Sequence, residues 1–244
     1  MGQIYKYKNN LEEAEKAFQE ALVFHKQAQS VQGQAYDLNE LGCLLMRRDQ
    51  LQEAEKAFQE ALVLHKQAQY VHGQACDILE LGCLFMRRDQ LQEAEKAFQE
   101  ALVLHKQVQD VLGQADDLHS LGCLFRCRGQ LQEAEKAIQE ALVLHMQVQD
   151  VIGQANDLWE LGRLFMHRDQ LQEAEKAFQE ALVHYKQGQS LLGQANVFIE
   201  LGRLEIKCDK VEEAIINLQE GLDISTRIKY TWGKCEAQSL LQAL

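Results

Sequence analysis

A block of about forty residues is written almost five times in this chain of 244 residues. The letters LQEAEKAFQEAL begin at positions 51, 91 and 171, recur with one change at 11 and 131, and return in eroded form at 211. A fixed period of this size indicates a repeat protein, in which each unit buries its apolar face only by stacking on its neighbours. We therefore expect one elongated domain over residues 1–244 instead of compact globules.

Composition and charge limit the possible classes of protein. Apolar residues make up 46% and charged residues 25% of the chain, which is typical of a folded protein. No run of about 18 apolar residues could cross a membrane, and no charged-then-apolar leader indicates secretion. The net charge of −12 disfavours non-specific nucleic-acid binding, which depends on lysine and arginine. We expect neither nucleic acid nor membrane as a partner.

The chain has seven cysteines, an odd number. Cys43, Cys83 and Cys123 share one repeat position, so stacking would place them one helix spacing apart, roughly 8–10 Å. A disulfide needs Cα atoms within about 7 Å. We therefore expect free thiols and a reducing, cytoplasmic location.

Each repeat has the apolar spacing of two helices. From Leu51 to Gln69, apolar residues recur every three or four positions while Glu and Lys fill the other face. We call a helix of this kind the second helix of a repeat, and the helix that precedes it across a turn the first helix. Second helices are predicted near 11–29, 51–69, 91–109, 131–149, 171–189 and 211–228. First helices are predicted near 31–47, 71–87, 111–127, 151–167 and 191–207, with a capping helix over 231–244. In that last helix Gln238 and Gln242 replace the usual Leu and Gly, so we expect it to be a solvated, polar end. We expect the chain to begin inside a first helix.

The predicted helices have plausible boundary residues. Ser30, Asp110, Asp150 and Ser190 precede first helices, where a short oxygen side chain accepts a free N–H; Tyr70 should cap less well. The residue that follows each first helix is of a type that tolerates the left-handed conformation ending a helix. These turn residues are Asn9, Asp49, Asp89, Gly129, Asp169 and Asp209.

A glycine lies at one position of every first helix, although it costs a helix about 1 kcal/mol relative to alanine. We expect a close helix approach there, in which a Cβ would collide. Replacing Gly122 by valine should then destabilise the fold by about 1–3 kcal/mol through overpacking. The six glycines are Gly2, Gly42, Gly82, Gly122, Gly162 and Gly202.

Two sets of residues invite a metal hypothesis. His25, His65, His105 and His145 stand one per second helix, but a full repeat separates them, so we expect packing or hydrogen bonding between helices. His119, Cys123 and Cys127 follow each other at intervals of four residues. They are either half of a zinc site or unrelated substitutions on a variable face.

One set of spacings recurs in several copies: a large residue, Leu-Gly, an aromatic, Ala, an aromatic and Ala. In one copy it is carried by Ile78, Leu81, Gly82, Phe85, Ala94, Phe98 and Ala101. Over essentially the whole chain this pattern resembles the tetratricopeptide repeat. The resemblance implies an all-α fold, a right-handed α-solenoid superhelix of stacked antiparallel helix pairs.

The chain departs from the usual repeat of that family in its longer period and its lack of proline. This variant resembles Partner-of-Inscuteable-type scaffolds, which also open the first helix with a D-x-x-G motif, here Asp110 to Gly113 and Asp150 to Gly153. The near-identical copies also resemble the repeat tails of fungal NLR-like proteins.

The copies differ mainly along one face of the first helices, at spacings of three and four residues. The resemblance implies that this face lines a concave groove that holds a peptide or a partner helix. The candidate groove residues are Tyr36, Asn39, Cys43, Arg47, Leu79, Cys83, Arg87, Asp116, His119, Cys123, Arg126, Asn156, Trp159, Arg163, His167, Asn196, Ile199, Arg203 and Lys207.

Neutral drift on an exposed face is the alternative explanation of this variation. Leu79, Trp159 and Ile199 favour recognition, because an exposed apolar stripe usually marks a contact surface. The second half of the stripe offers Arg163 and Arg203, which would suit a ligand with an acidic part. Alternatively, the neighbouring glutamates pair with these arginines and leave no net field.

The sequence has no nucleophile–base set and no glycine-rich phosphate loop, so we expect neither an enzyme nor a cofactor. We predict a protein-interaction scaffold with a protein or peptide ligand, and we keep self-association open. The alternative is a structural or self-assembling regulatory arm of a larger NLR-like sensor, without a dedicated peptide ligand.

Overall fold

The computed structural model describes residues 11–244, and within this range twelve α-helices follow one another without a strand. The helices are α1 (Leu11–Gln27), α2 (Val31–Arg47), α3 (Leu51–Gln67), α4 (Val71–Arg87), α5 (Leu91–Gln107), α6 (Val111–Cys127), α7 (Leu131–Gln147), α8 (Val151–His167), α9 (Leu171–Gln187), α10 (Leu191–Lys207), α11 (Val211–Arg227) and α12 (Thr231–Gln242). The fold is therefore all-α, as predicted. The helix expected around Gly2 and the turn at Asn9 lie outside the described residues.

The chain divides into two compact units, unit 1 up to Leu124 and unit 2 from Phe125. In unit 1, α2 packs on α3 and α4 packs on α5. In unit 2, α8 packs on α9 and α10 packs on α11. Paired helices are thus the building element of both units, and a single solenoid over residues 1–244 stays a prediction.

The glycines of the first helices lie where two helices approach closely. A Cβ on Gly82 would lie 2.5 Å from Cε1 of Phe98, and one on Gly162 would lie 2.5 Å from Cε1 of Phe178. Real Cβ atoms do not come this close to another carbon, so only glycine fits without movement of the ring. The predicted close approach is confirmed at these positions, whereas the collision at Gly122 stays a prediction.

Each of the four histidines at the repeated position of the second helices is paired with an aspartate twelve residues later. In every pair Nδ1 of the histidine lies 2.6 Å from Oδ2 of the aspartate. The pairs are His25–Asp37, His65–Asp77, His105–Asp117 and His145–Asp157. This confirms the expected hydrogen bond between helices, and it identifies four buried aspartates that the sequence patterns did not reveal.

The fifth repeat replaces both members of the pair together. Tyr185 stands in the place of the histidine and Val197 in that of the aspartate, and both are buried. The hydroxyl of Tyr185 donates instead to Oδ1 of Asn156 at 2.6 Å. The joint change shows that the two positions form one packing element, since a buried aspartate without the imidazole would lack a partner.

Burial and the partner act in opposite directions on the pKa values of such a pair. Burial raises the pKa of Asp117 to about 6, and the hydrogen bond and charge of His105 only partly offset it. Burial would lower the pKa of His105, but the hydrogen bond and charge of Asp117 outweigh it, so the net shift is upward. The folded pair therefore binds protons more tightly than the two separate groups.

The turns between helices use the left-handed conformation twice per repeat. The predicted residues Asp49, Asp89, Asp169 and Asp209 have φ between 57° and 62°, and Gly129 has φ of 73°. In the second set, glutamines occupy five of the six described positions, with φ between 52° and 57°, and Lys229 occupies the sixth, with φ of 57°. These glutamines, which the sequence patterns missed, are Gln29, Gln69, Gln109, Gln149 and Gln189. Because these glutamines lie in the turns, the five second helices before them end two residues earlier than predicted, for example at Gln67 instead of Gln69.

The caps of the first helices agree with the sequence. The side chains of Ser30 and Asp110 each accept a hydrogen bond from the N–H three residues later, at 3.3 and 3.1 Å. Asp150 accepts from Ile152 at 3.1 Å and Ser190 from Gly193 at 3.3 Å. Tyr70 makes no side-chain cap, as expected. No helix of the described part is long and apolar enough to span a membrane.

Candidate partner-binding groove

The predicted groove residues differ in how far they are exposed to solvent. Six are exposed, namely Tyr36, Arg47, Arg87, Asp116, His167 and Lys207. Twelve are half-buried, namely Asn39, Cys43, Leu79, Cys83, His119, Cys123, Arg126, Asn156, Trp159, Arg163, Asn196 and Arg203. Ile199 is buried, with 1% of its surface exposed. A partner could therefore reach most, but not all, of the predicted stripe.

The expectation that Ile199 is an exposed groove residue is wrong. Its Cγ1 lies 3.0 Å from the point that a Cβ on Gly221 would occupy. The preceding second helices have alanine at the position of Gly221, for example Ala181. The missing methyl group leaves space on α11, and the isoleucine fills it as part of the core.

In unit 1, several stripe residues bind their own neighbours. Asn39 donates from Nδ2 to Oδ1 of Asp77 at 2.8 Å, which extends the buried histidine–aspartate pair to the preceding first helix. Arg87 donates to the backbone oxygen of Met46. These side chains connect successive first helices, so part of their variation reflects packing.

In unit 2, six candidate residues line two adjoining cavities. The aromatic cavity, of about 300 Å³, is lined by Trp159, Arg163, Asn196, Glu200, Arg203, Tyr230 and Trp232. The basic cavity, of about 330 Å³, is lined by Arg163, Met166, His167, Glu200, Arg203 and Lys207. Because three residues line both cavities, we treat them together as the unit-2 groove.

The walls of the unit-2 groove come from α8, α10 and the start of α12. Tyr230 and Trp232 were not among the predicted site residues, because the capping helix was expected to be a polar end. Their ring centroids lie 5.9 Å apart, and Trp232 is 53% exposed. The guanidinium of Arg163 lies 4.7 Å from the ring centroid of Trp159, in the geometry of a cation–π contact.

The arginines of this groove are paired with carboxylates. Glu160, which is buried, accepts from Nε of Arg126 at 2.8 Å and from Nη1 of Arg163 at 3.0 Å. Arg203 is paired with Glu236 on α12. Burial raises the pKa of Glu200, while Arg203 and Arg163 act against that shift. Of the two interpretations of these charges, the structure therefore supports pairing over a free positive field.

A larger cavity of about 590 Å³ lies elsewhere in unit 2, among α9, α10 and α11. Lys186, Phe198, Ile216 and Arg227 are among the residues that line it, and none of the candidate groove residues does. Volume alone therefore does not single out the unit-2 groove.

The proposed zinc ligands form only a pair. Sγ of Cys123 lies 3.5 Å from Nε2 of His119, and Cys127 is exposed. Within residues 11–244, no group of three or more histidine, cysteine, aspartate or glutamate side chains is arranged to hold a metal ion. All seven cysteines are free thiols, and burial raises the pKa of Cys76 to about 12.

Comparisons with known proteins agree on the fold. Sequence models of the tetratricopeptide repeat match residues 1–22, 38–68, 74–144 and 119–190. Among curated proteins, no sequence matches the chain. The structure is similar to BtubC from P. vanneervenii, with a TM-score of 0.73 and 16% identity over 91% of this chain and 93% of that one.

Two further solved structures are similar over 99% of this chain. One is the Rap conjugation gene regulator of plasmid pLS20 in complex with the Phr* peptide, with a TM-score of 0.77, 16% identity and 70% of that chain covered. The other is a signal transduction ATPase with a tetratricopeptide repeat sensor from Pyrococcus horikoshii, with a TM-score of 0.72, 16% identity and 37% covered. At this identity the likeness concerns the fold. Since the family's sequence models together match most of the chain, the chain belongs to the tetratricopeptide repeat family.

Proposed function

We propose that this chain is a protein-interaction scaffold that binds an extended segment of a partner protein along the unit-2 groove. The observation that carries the proposal is the meeting of variable residues from different repeats, among them Trp159, Arg163 and Arg203, around two adjoining cavities. Each cavity has about the volume of the smaller ligand pockets of proteins. Together they could hold neighbouring side chains of one peptide.

The chemistry of the groove suits a peptide of balanced charge. Trp159, Tyr230 and Trp232 supply large apolar faces with polar edges, a combination that is frequent at interfaces. The paired arginines offer a rim that can hydrogen-bond without a strong net field. The similar Rap regulator was solved with a bound peptide, which supports peptide binding by this fold.

The proposal can be tested by display of a random peptide library against the chain, followed by calorimetry with the selected peptides. The double variant Arg163→Glu, Arg203→Glu should weaken binding at least tenfold, and so should Lys207→Glu, which changes an exposed residue of the same groove. The matched control is Arg47→Glu, Arg87→Glu, at exposed first-helix positions of unit 1, and it should bind as the original chain does. Failure to select any peptide, or equal binding by all variants, would contradict the proposal.

The second candidate is a self-assembling arm of an NLR-like sensor, and one observation favours it. A valine is exposed at the same position of five successive second helices, outside the groove. These residues are Val23, Val63, Val103, Val143 and Val183. A second copy of the chain could cover such a repeated apolar feature. Sedimentation equilibrium decides between the two, since the arm would associate and would do so regardless of the groove variants.

We also place this function in the cytoplasm, because the free thiols are suited to a reducing compartment. The net charge of −12 supports a protein or peptide partner over nucleic acid or an anionic membrane surface.

A further inference from the structure

Three residues that line the aromatic cavity each carry a buried side-chain atom without a hydrogen-bond partner. The atoms are Nε1 of Trp159, Oδ1 of Asn196 and Nε of Arg203. Seven such side-chain atoms occur in the described part of the chain, so nearly half of them belong to the lining of this one cavity. An unsatisfied buried polar atom costs about 1–3 kcal/mol of folding free energy. The occurrence of three such atoms in one place therefore needs an explanation.

The three atoms together define a complementary group. The indole N–H and the guanidinium Nε–H can only donate, and the carbonyl oxygen of the asparagine side chain can only accept. A ligand that satisfies all three must offer lone pairs to two donors and a donor to one acceptor. A carboxamide supplies this combination of functions, because its oxygen accepts and its N–H donates.

The charges around the cavity disfavour ionic alternatives. A carboxylate would satisfy the donors, but it would leave Asn196 unpaired and would meet Glu200, whose pKa is already raised by burial. An ammonium group could donate to Asn196, but it would face Arg163 and Arg203. Since Glu160 and Glu236 already pair with these arginines, no strong field draws in an ion of either sign.

The aromatic rings supply the rest of the site. Tyr230 and Trp232 lie 5.9 Å apart, and the ring of Trp159 lies below the guanidinium of Arg163. Flat faces of this kind pack against planar amides and against the carbon chains that carry them. An uncharged amide attached to an apolar chain therefore fits both the polar atoms and the walls.

We propose that the aromatic cavity is a subsite for a carboxamide, supplied by an asparagine or glutamine side chain or by a peptide bond of the bound segment. This inference rests on the proposed function and names the chemistry that the unit-2 groove recognises. If the site is selective for an uncharged amide, then the carboxylic acid and the amine of the same shape bind more weakly than the amide.

The test uses small probes and the two tryptophans of the chain. Titration of ¹⁵N-labelled protein with 3-phenylpropanamide should shift the indole N–H signal of Trp159, which the Trp232→Phe variant assigns. Binding should be saturable, and 3-phenylpropanoate and 3-phenylpropylammonium should bind at least tenfold more weakly. The N-methyl amide imitates a peptide bond, so its affinity relative to the primary amide distinguishes the two sources.

Variants locate the amide on the proposed atoms. Asn196→Ala should weaken the primary amide at least tenfold, whereas Asp116→Ala, at the same repeat position in unit 1, should not. Trp159→Phe removes one donor but keeps an aromatic wall, and it should weaken the primary amide by a similar factor. Since Trp159 is then absent, binding to this variant is followed by the indole N–H signal of Trp232. A flat titration, an acid that binds as tightly as the amide, or unchanged binding in both cavity variants would overturn the proposal.

The outcomes for the subsite and for the groove can be told apart. Amide binding without any selected peptide would leave the subsite in place and remove the proposed function. Selected peptides whose affinity is unaffected by Asn196→Ala and by Trp159→Phe would retain the scaffold function and remove the subsite.

Discussion

The replacement of Asp117 by asparagine tests the physical account of the buried histidine–aspartate pairs. The carboxyl group is fully buried beside His105, and its pKa rises from the usual 3.8 to about 6. Each pKa unit corresponds to 1.36 kcal/mol, so a rise of this size corresponds to about 3 kcal/mol of proton-linked stability. Asparagine keeps the shape and an accepting oxygen, but it has no proton to lose in this range.

The sign of the effect follows from the direction of the shift. Because the folded chain holds this proton more tightly than the unfolded chain, the stabilisation is complete below about pH 3.8 and is lost as the pH rises through about 6. The raised pKa of His105 acts in the same direction at higher pH. The stability of the original chain relative to the variant should therefore fall by about 2 kcal/mol between pH 4 and pH 7.

Urea unfolding followed by far-ultraviolet circular dichroism at pH 4, 5, 6 and 7 measures this difference. Asp89→Asn is the matched control, since Asp89 is exposed in a turn with φ of 60° and asparagine tolerates that conformation. The control should show a small difference that does not depend on pH. If the free energy of unfolding of the original chain, relative to that of Asp117→Asn, increases with pH, then the carboxyl pKa is lowered by an ion pair. That result would refute the reasoning.

Three further predictions concern packing, turns and thiols. Gly82→Ala should destabilise the fold by about 1–2 kcal/mol in denaturant unfolding, because the collision with the facing ring exceeds the gain in helix propensity; an unchanged midpoint would refute the close approach. Gln109→Gly should stabilise by about 0.5–1 kcal/mol in the same assay, since φ is 57° there; a loss would show that its side chain matters more than its backbone. At pH 8 the exposed Cys127 and Cys235 should react with a thiol reagent much faster than Cys76, and equal rates by mass spectrometry would contradict the burial.

Features that repeat in every copy could be predicted from the sequence. The glycine of each first helix and the Asp or Gly of each turn recur at fixed positions, and each residue type has few physical reasons to be there. The structure shows those reasons as the ring of Phe98 against Gly82 and as the positive φ of Asp49. Periodicity therefore predicted helices, turns and the repeat class well.

Features that depend on a partner in another helix could not be predicted in the same way. From the sequence alone, the aspartate that pairs with each histidine cannot be distinguished from the charged residues of the surface. A signal did exist, because His145 and Asp157 change together to Tyr185 and Val197 one repeat later. Ile199 was misplaced for a related reason, since it is buried where it packs against Gly221 of the following helix.

The candidate groove was predicted in outline and not in its chemistry. The variable stripe contains Trp159, Arg163 and Arg203, which meet in unit 2. Their pairing with Glu160 and Glu236 is a matter of side-chain geometry across helices, and the sequence allowed both a free and a neutralised field. The aromatic wall from Tyr230 and Trp232 lies where a polar cap was expected.

Photo-crosslinking of a selected peptide to the chain tests the central claim most directly. A benzophenone group on the peptide reacts preferentially with methionine, and the chain has Met166 in the unit-2 groove and Met146 exposed on a second helix. The account predicts cross-links to Met166 and to the neighbouring walls on α8, α10 and α12. Cross-links confined to Met146 and to the second helices would contradict it.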